Sequence, residues 1–216
     1  MAALQFEEPP LDCPRCPRLV AFLRELRTLH PDWKNAPVRS FGGLEARLLI
    51  VGLAPGMKGA NRTGRPFTGD YAGELLYSTL LKFGLAQGTF RADPNDGLRL
   101  VDCRIANAVR CLPPENKPLP AEFTACRPFL QSELAVMPQL RVIVALGKGA
   151  HDQVLRALAV RPAGAYPFIH GRLHALPNGL QLADSYHCSR YNTNTGRLTT
   201  EMFHDVFEKI RSALKR

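Results

Sequence analysis

Cys13 and Cys16 form a C-x2-C pair bracketed by Pro14 and Pro17, a turn that presents two thiolates to one metal centre. A second pair, Cys111 in "RCLPPENKPLP" and Cys126 in "ACRPFL", offers two more sulfurs from a loop and the helix that follows. Soft thiolate ligands suit either Zn2+ or an iron–sulfur cluster, and unrelated buried thiols are the alternative. Cys103 lies mid-strand and reads as core. Cys188 follows His187, but adjacent strand residues point to opposite faces, which argues against a Cys–His nucleophile.

Three other stretches carry chemistry. "GLAPG" (52–56) offers backbone N–H groups in a tight turn, a fair place for a polar ligand. "NRTGRPFTGD" (61–70) sets Arg62, Arg65, Phe67 and Asp70 among glycines. Phe67 there is either a core anchor or a surface on which a base stacks. "HCSRYNTNTGRLT" (187–199) gathers His187, Ser189, Arg190, Tyr191, Asn192 and Arg197. Asn, Thr and Gly suit a turn, but a turn needs no His, Tyr or pair of Arg besides.

The elements that must position these residues are legible. Four apolar, β-branched runs read as buried strands: "ARLLIVGLAPG" (46–56), "LRLVDCRIANAV" (98–109), "LRVIVALG" (140–147) and "LQLADSYH" (180–187). Apolar stripes predict helices at 18–29, 72–84 (ending on a C′ glycine) and 201–216, the last capped by Thr199 or Thr200. Pro128 makes 120–137 a poorer helix. Strands alternating with helices predict one α/β domain over 1–216, a four-stranded parallel sheet covered on both faces. Ligands bind outside the carboxyl ends of such strands, where "GLAPG", the Asn107 end of "RIANAV" and the 187–199 stretch all fall.

The chain has 216 residues, 45% of them hydrophobic, enough to bury a core, and a formal net charge of +9 with a pI near 9.6. That sign favours polyanions, nucleic acid first. No apolar run approaches the ~20 residues of a membrane span. "MAALQFEEPPLDC" lacks the pattern of a signal peptide, so the expectation is a cytoplasmic protein whose six cysteines are ligands or free thiols rather than disulfides.

Taken in order, strand-GLAPG, GRPFTGD-x-AGELL, N-x3-C-x-PP and H-x-S-x2-N-x2-TGRLT closely resemble the uracil-DNA glycosylase superfamily, nearest its type B or fifth branch, from Cys13 to about Thr199. The resemblance implies a three-layer α/β/α fold and a structural [4Fe–4S] cluster on Cys13, Cys16, Cys111 and Cys126. It also implies hydrolysis of the N-glycosidic bond of uracil or other deaminated bases in DNA, leaving an abasic site; a monomer is expected. By the same likeness Gly52, Ala54 and Gly56 belong to the base-binding first motif, Phe67 stacks on the flipped base, and Asn107 reads its edge. His187 bonds the departing base, and Ser189 with Arg190, Tyr191, Asn192 and Arg197 grips the DNA. Arg62 and Arg65, basic residues of the Gly-punctuated loop, are expected on the DNA face after Arg190 and Arg197.

One departure stands out. Related branches carry an acidic or polar residue in the first motif to activate water, where this chain has Leu53 and Ala54. Asp70 is the preferred substitute, its other role being to cap the helix at 71–83, and Asn107 or Asn116 can orient the water instead. The missing polar residue also predicts a roomier pocket, open to deaminated purines. A non-enzymatic nucleic-acid-binding module with a structural four-Cys metal is the rival reading. It leaves His187 and Asn107 at strand ends unexplained. "LGKGAHD" (146–152) lacks the spacing of a P-loop.

Overall fold

The computed structural model describes residues 6–215. Residues 1–5, where the N-terminal reading begins, and Arg216, the end of the expected last helix, lie outside them. In chain order the elements are α1 (Pro17–Leu29), β1 (Leu48–Gly52), α2 (Tyr71–Lys82), β2 (Ala86–Gln87), β3 (Arg99–Leu100), β4 (Cys103–Asn107), α3 (Pro120–Ala135), β5 (Val142–Leu146), α4 (Lys148–Ala157), β6 (Leu173–Ala175), β7 (Gln181–Ser185), α5 (Arg190–Asn194) and α6 (Thr200–Leu214).

The sheet runs β4-β1-β5-β7-β6, the first four parallel and β6 antiparallel at the edge. It has five strands rather than the expected four; β6 spans three residues and gives no periodic signal. Alternation divides the strands between two cores. Leu48 and Ile50 face Leu76, Leu80, Phe203 and Phe207 of α2 and α6, while Leu49 and Val51 face Leu130, Val154 and Leu155 of α3 and α4. The α/β class with helices on both faces is therefore as expected.

The run 98–109 is two strands, not one. Asp102 sits at φ 52°, in the left-handed region, and breaks it. Upstream, β3 pairs antiparallel with β2; downstream, β4 joins the main sheet. The Asp102 carboxylate holds Arg47 at its N–H and guanidinium, which fixes the start of β1 beside that of β4. Pro128 does not interrupt α3, whose buried Glu122 and Glu133 are held by Arg18 on one side and by Arg104 and Arg110 on the other. Thr199 caps α6 by accepting Met202 N–H at 3.2 Å. Among the described residues, no helix is long and apolar enough to cross a membrane.

Candidate active site

A cavity of about 540 Å³ opens at the carboxyl ends of β1, β4 and β7, within the size range of small-molecule sites. Asn107 ends β4, and His187 lies two residues past the end of β7; both line the cavity. "GLAPG" and the loop 57–70 supply Leu53, Ala54, Gly56, Phe67 and Asp70. The convergence expected from the strand ends is what the chain builds.

Gly52 pairs in register with Asn107 and does not itself line the cavity. A Cβ on it would fall 2.4 Å from Asn107 Oδ1 and 2.8 Å from the Phe67 ring. Its expected place among the base contacts is therefore corrected: its bare backbone leaves the slot in which both of those side chains lie. Phe67 has φ 52° and is nearly buried, so it serves the core and the cavity wall together. Its ring centroid lies 5.9 Å from that of His187. Asn107 is buried, and its Oδ1 has no hydrogen-bond partner.

Asp70 occupies the N-cap position of α2, yet its side chain makes no capping hydrogen bond; only its backbone carbonyl receives Gly73 N–H, at 3.2 Å. Oδ1 is buried without a partner, and Oδ2 lies against Gly56 and Gly59. Burial pushes the carboxyl above the usual aspartate range, against the pull of the nearby Gly73 and Ala72 N–H groups. A buried acceptor without a partner, on a residue that lines the cavity, is left unsatisfied by the helix it begins. For His187, burial alone lowers the imidazole pKa to about 4, which keeps the ring neutral near pH 7.

The 187–199 stretch is partly helical. Ser189 caps the short α5 by accepting Asn192 N–H, and Asn192 Nδ2 donates to His187 O at 2.8 Å. Two residues expected to touch DNA therefore brace the loop. Arg190, Tyr191 and Arg197 are exposed, Tyr191 at 72%. Arg190 lies over the ring of Tyr71, a cavity residue that sequence reasoning missed although it directly follows Asp70. Lys58 at the rim was missed too, and nothing in its neighbourhood marks it. Asn116 lines the mouth and is exposed, Arg62 is exposed, and Cys188 is buried with its thiol on Ala72 O.

Arg65 requires a correction. It was expected on a DNA-facing surface but is only 5% exposed. Both terminal nitrogens reach Asp96 at 2.8 Å, and Nε donates to Thr68 at 2.7 Å. The guanidinium also lies near the Phe41, Tyr77 and Phe90 rings. A guanidinium so engaged anchors the loop under Phe67. Asp96 is far off in sequence, and no spacing signals the pair.

Cys13, Cys16, Cys111 and Cys126 converge around Leu19, Val109 and Phe129, and Ala54 of the cavity rim packs into the same cluster. Arg110 N–H donates to Cys126 Sγ at 3.3 Å. Burial and the neighbouring sulfurs push the Cys16 thiol up to about 11 and raise Cys111 too, so bare thiolates are unfavourable here without a cation. Among the described residues, the set of three or more His, Cys, Asp or Glu ligand atoms within 4.8 Å of one another is His151, His174 and Asp184. That set is internally bonded: His151 Nδ1 meets Asp184 Oδ1 at 2.6 Å, His174 Nε2 meets Oδ2 at 3.1 Å, and His151 Nε2 meets Tyr166 O at 2.8 Å.

A family model described as the Uracil DNA glycosylase superfamily matches residues 39–211. A type-5 uracil-DNA glycosylase of Thermus thermophilus is 48% identical over 205 residues, covering 92% of each chain. The Mycobacterium bovis protein of that description is 42% identical over 92% of this chain and 77% of its own, and the Pyrobaculum aerophilum one is 39% identical over 92% and 88%.

Proposed function

The chain belongs to the uracil-DNA glycosylase superfamily, and on that premise we propose that it excises uracil from DNA by hydrolysing the bond between deoxyribose C1′ and base N1. The observation that carries this reading is one cavity lined by Phe67, Asp70, Asn107 and His187, in which Asp70 and Asn107 each hold a buried oxygen without a partner. A base turned out of the duplex stacks on Phe67 and pairs along its edge with the Asn107 amide. As C1′–N1 breaks, the electron pair leaves with the base and positive charge builds on the sugar. Neutral His187 donates N–H to the developing base anion. Asp70 orients a water and takes its proton as the oxygen bonds to C1′. The released base gains a proton, and an abasic site remains.

Arg62, Arg190, Tyr191 and Arg197 are exposed and hold the phosphate backbone, in keeping with the net charge of +9. The cavity volume of about 540 Å³ supports other deaminated bases as further substrates. The protein works as a monomer in the cytoplasm.

The four cysteines converge on one small apolar cluster, a set of soft ligands that suits the [4Fe–4S] centre which the family resemblance implies. When bound on Cys13, Cys16, Cys111 and Cys126, the cluster supplies a structural cross-link.

Incubation with a duplex carrying one uracil, followed by alkali, should break the strand at that position only. An intact strand would overturn the reading.

A further inference from the structure

A stack of residues that do not line the cavity holds the residue next to His187. Tyr186 donates its backbone N–H to His170 Nδ1 at 3.0 Å. The two rings lie face to face, centroids 4.7 Å apart and 4° from parallel. The Arg197 guanidinium lies over the same tyrosine ring, 4.6 Å from its centroid. A backbone N–H can only donate, so His170 Nδ1 must be bare, with its proton on Nε2.

We infer that His170 is a positioning residue for the DNA-gripping loop: its neutral imidazole fixes Tyr186, and through it the His187 backbone and the Arg197 guanidinium. This rests on the reading of 187–199 as the loop that holds DNA. Charging His170 would put a second donor against Tyr186 N–H and loosen the stack. The groups facing it are Lys209 and Asp205 of α6 and Asp184 of β7, with Arg197 beyond the tyrosine ring. Burial and Lys209, which is pinned by donating to Gly171 O at 2.7 Å, hold its pKa below the usual histidine range against the two aspartates. The loop is therefore set at neutral pH and released in acid.

The test compares wild type, His170→Ala and His170→Asn in binding to duplex DNA with a stable abasic-site analogue, at pH 7.5 and pH 5. Asn places an acceptor oxygen where Nδ1 stands and carries no charge at either pH. At pH 7.5 His170→Ala should bind about 3- to 10-fold more weakly, the scale of one hydrogen bond, and His170→Asn should recover most of that loss. Acid should weaken wild type but not His170→Asn. The sign is diagnostic, because added positive charge alone would tighten DNA binding. Nitrogen NMR of the wild type should show the Nε2–H tautomer at pH 7.5, a readout independent of whether the alanine variant folds. Equal affinity of His170→Ala and wild type, an identical acid response in wild type and His170→Asn, or a protonated Nδ1 would overturn the inference. Wild type that neither excises uracil nor prefers the abasic duplex would instead strike down the reading on which it rests.

Discussion

Asp70 Oδ2 lies where a side chain on Gly59 would be: a Cβ there would fall 2.0 Å from the oxygen. The carboxylate reaches the cavity because Gly59 has nothing to offer in its place. Gly59→Ala should therefore act as a catalytic variant, cutting the single-turnover rate by about 100-fold, the scale for an ångström of misplacement. A near-normal rate would show that the carboxylate has no part in the chemistry.

Replacing Asp70 separates catalysis from capping. The folded pKa is raised, so this group favours folding below its unfolded pKa and loses that contribution as pH rises through the folded value. At neutral pH Asp70→Asn should slow excision while leaving the melting temperature unchanged or higher, and the stability gain should fade in acid. Asp70→Ala should escape the roughly 1 kcal/mol typical of a lost cap, since no capping bond exists. The wild-type rate should climb with pH through a value above the ordinary aspartate range. A fully active Asp70→Asn protein would refute the assignment.

His187→Ala should slow the chemical step by roughly 10- to 1000-fold, the range for losing one donor to a developing oxyanion. Affinity for abasic DNA should change far less, because that product lacks the base. With its pKa near 4, His187 should give the rate no inflection around pH 6.5. Its contribution to stability, present above the unfolded pKa of ~6.5, should be lost as pH falls toward 4. Equal loss of rate and abasic-DNA binding would count against a leaving-group role.

The arginines should divide by burial. Replacing Arg62, Arg190 and Arg197 together by Ala should flatten the dependence of DNA affinity on salt, by about 0.9 in log–log slope for each phosphate no longer neutralised. Arg65→Ala should leave the slope alone and destabilise the fold by roughly 1–3 kcal/mol, because Asp96 loses its bidentate partner and keeps only the Arg91 and Leu98 N–H groups. A changed salt slope in Arg65→Ala would place it on DNA after all.

Protein purified without chelator should be brown and carry about four irons per chain, with the colour lost on oxidation. Ser at Cys13, Cys16, Cys111 or Cys126 should bleach it, and Ser at Cys103 or Cys188, both buried in the main core, should not. Colourless protein containing zinc would replace the cluster and keep the four ligands.

Much of this was legible in the residue order. Continuous apolar runs marked β1, β5 and β7, the stripe of α6 marked its buried face, and four motifs in sequence located the cavity. What escaped notice depends on contacts between distant segments. The bidentate bond that buries Arg65 comes from Asp96, and the break between β3 and β4 is a backbone angle at Asp102. Gly52 and Gly59 matter through the space they leave, which no periodicity records. Asp70 occupies a helix start in any linear reading, and only the structure shows that its side chain makes no capping bond and leaves a buried oxygen without a partner.

The parallel order of the sheet also constrains how the protein comes into being. β1 must pair with β4 and β5, and β5 with β7, so each pairing joins strands far apart along the chain. Such non-local pairing is slow, since long loops must close before any contact repays them. Asp70 and Phe67 are synthesised early, Asn107 midway, and His187 only with the last strand. On the assignment proposed above, a chain still emerging from the ribosome has its carboxylate and stacking ring before its leaving-group donor, and excision would begin only when the final strand docks.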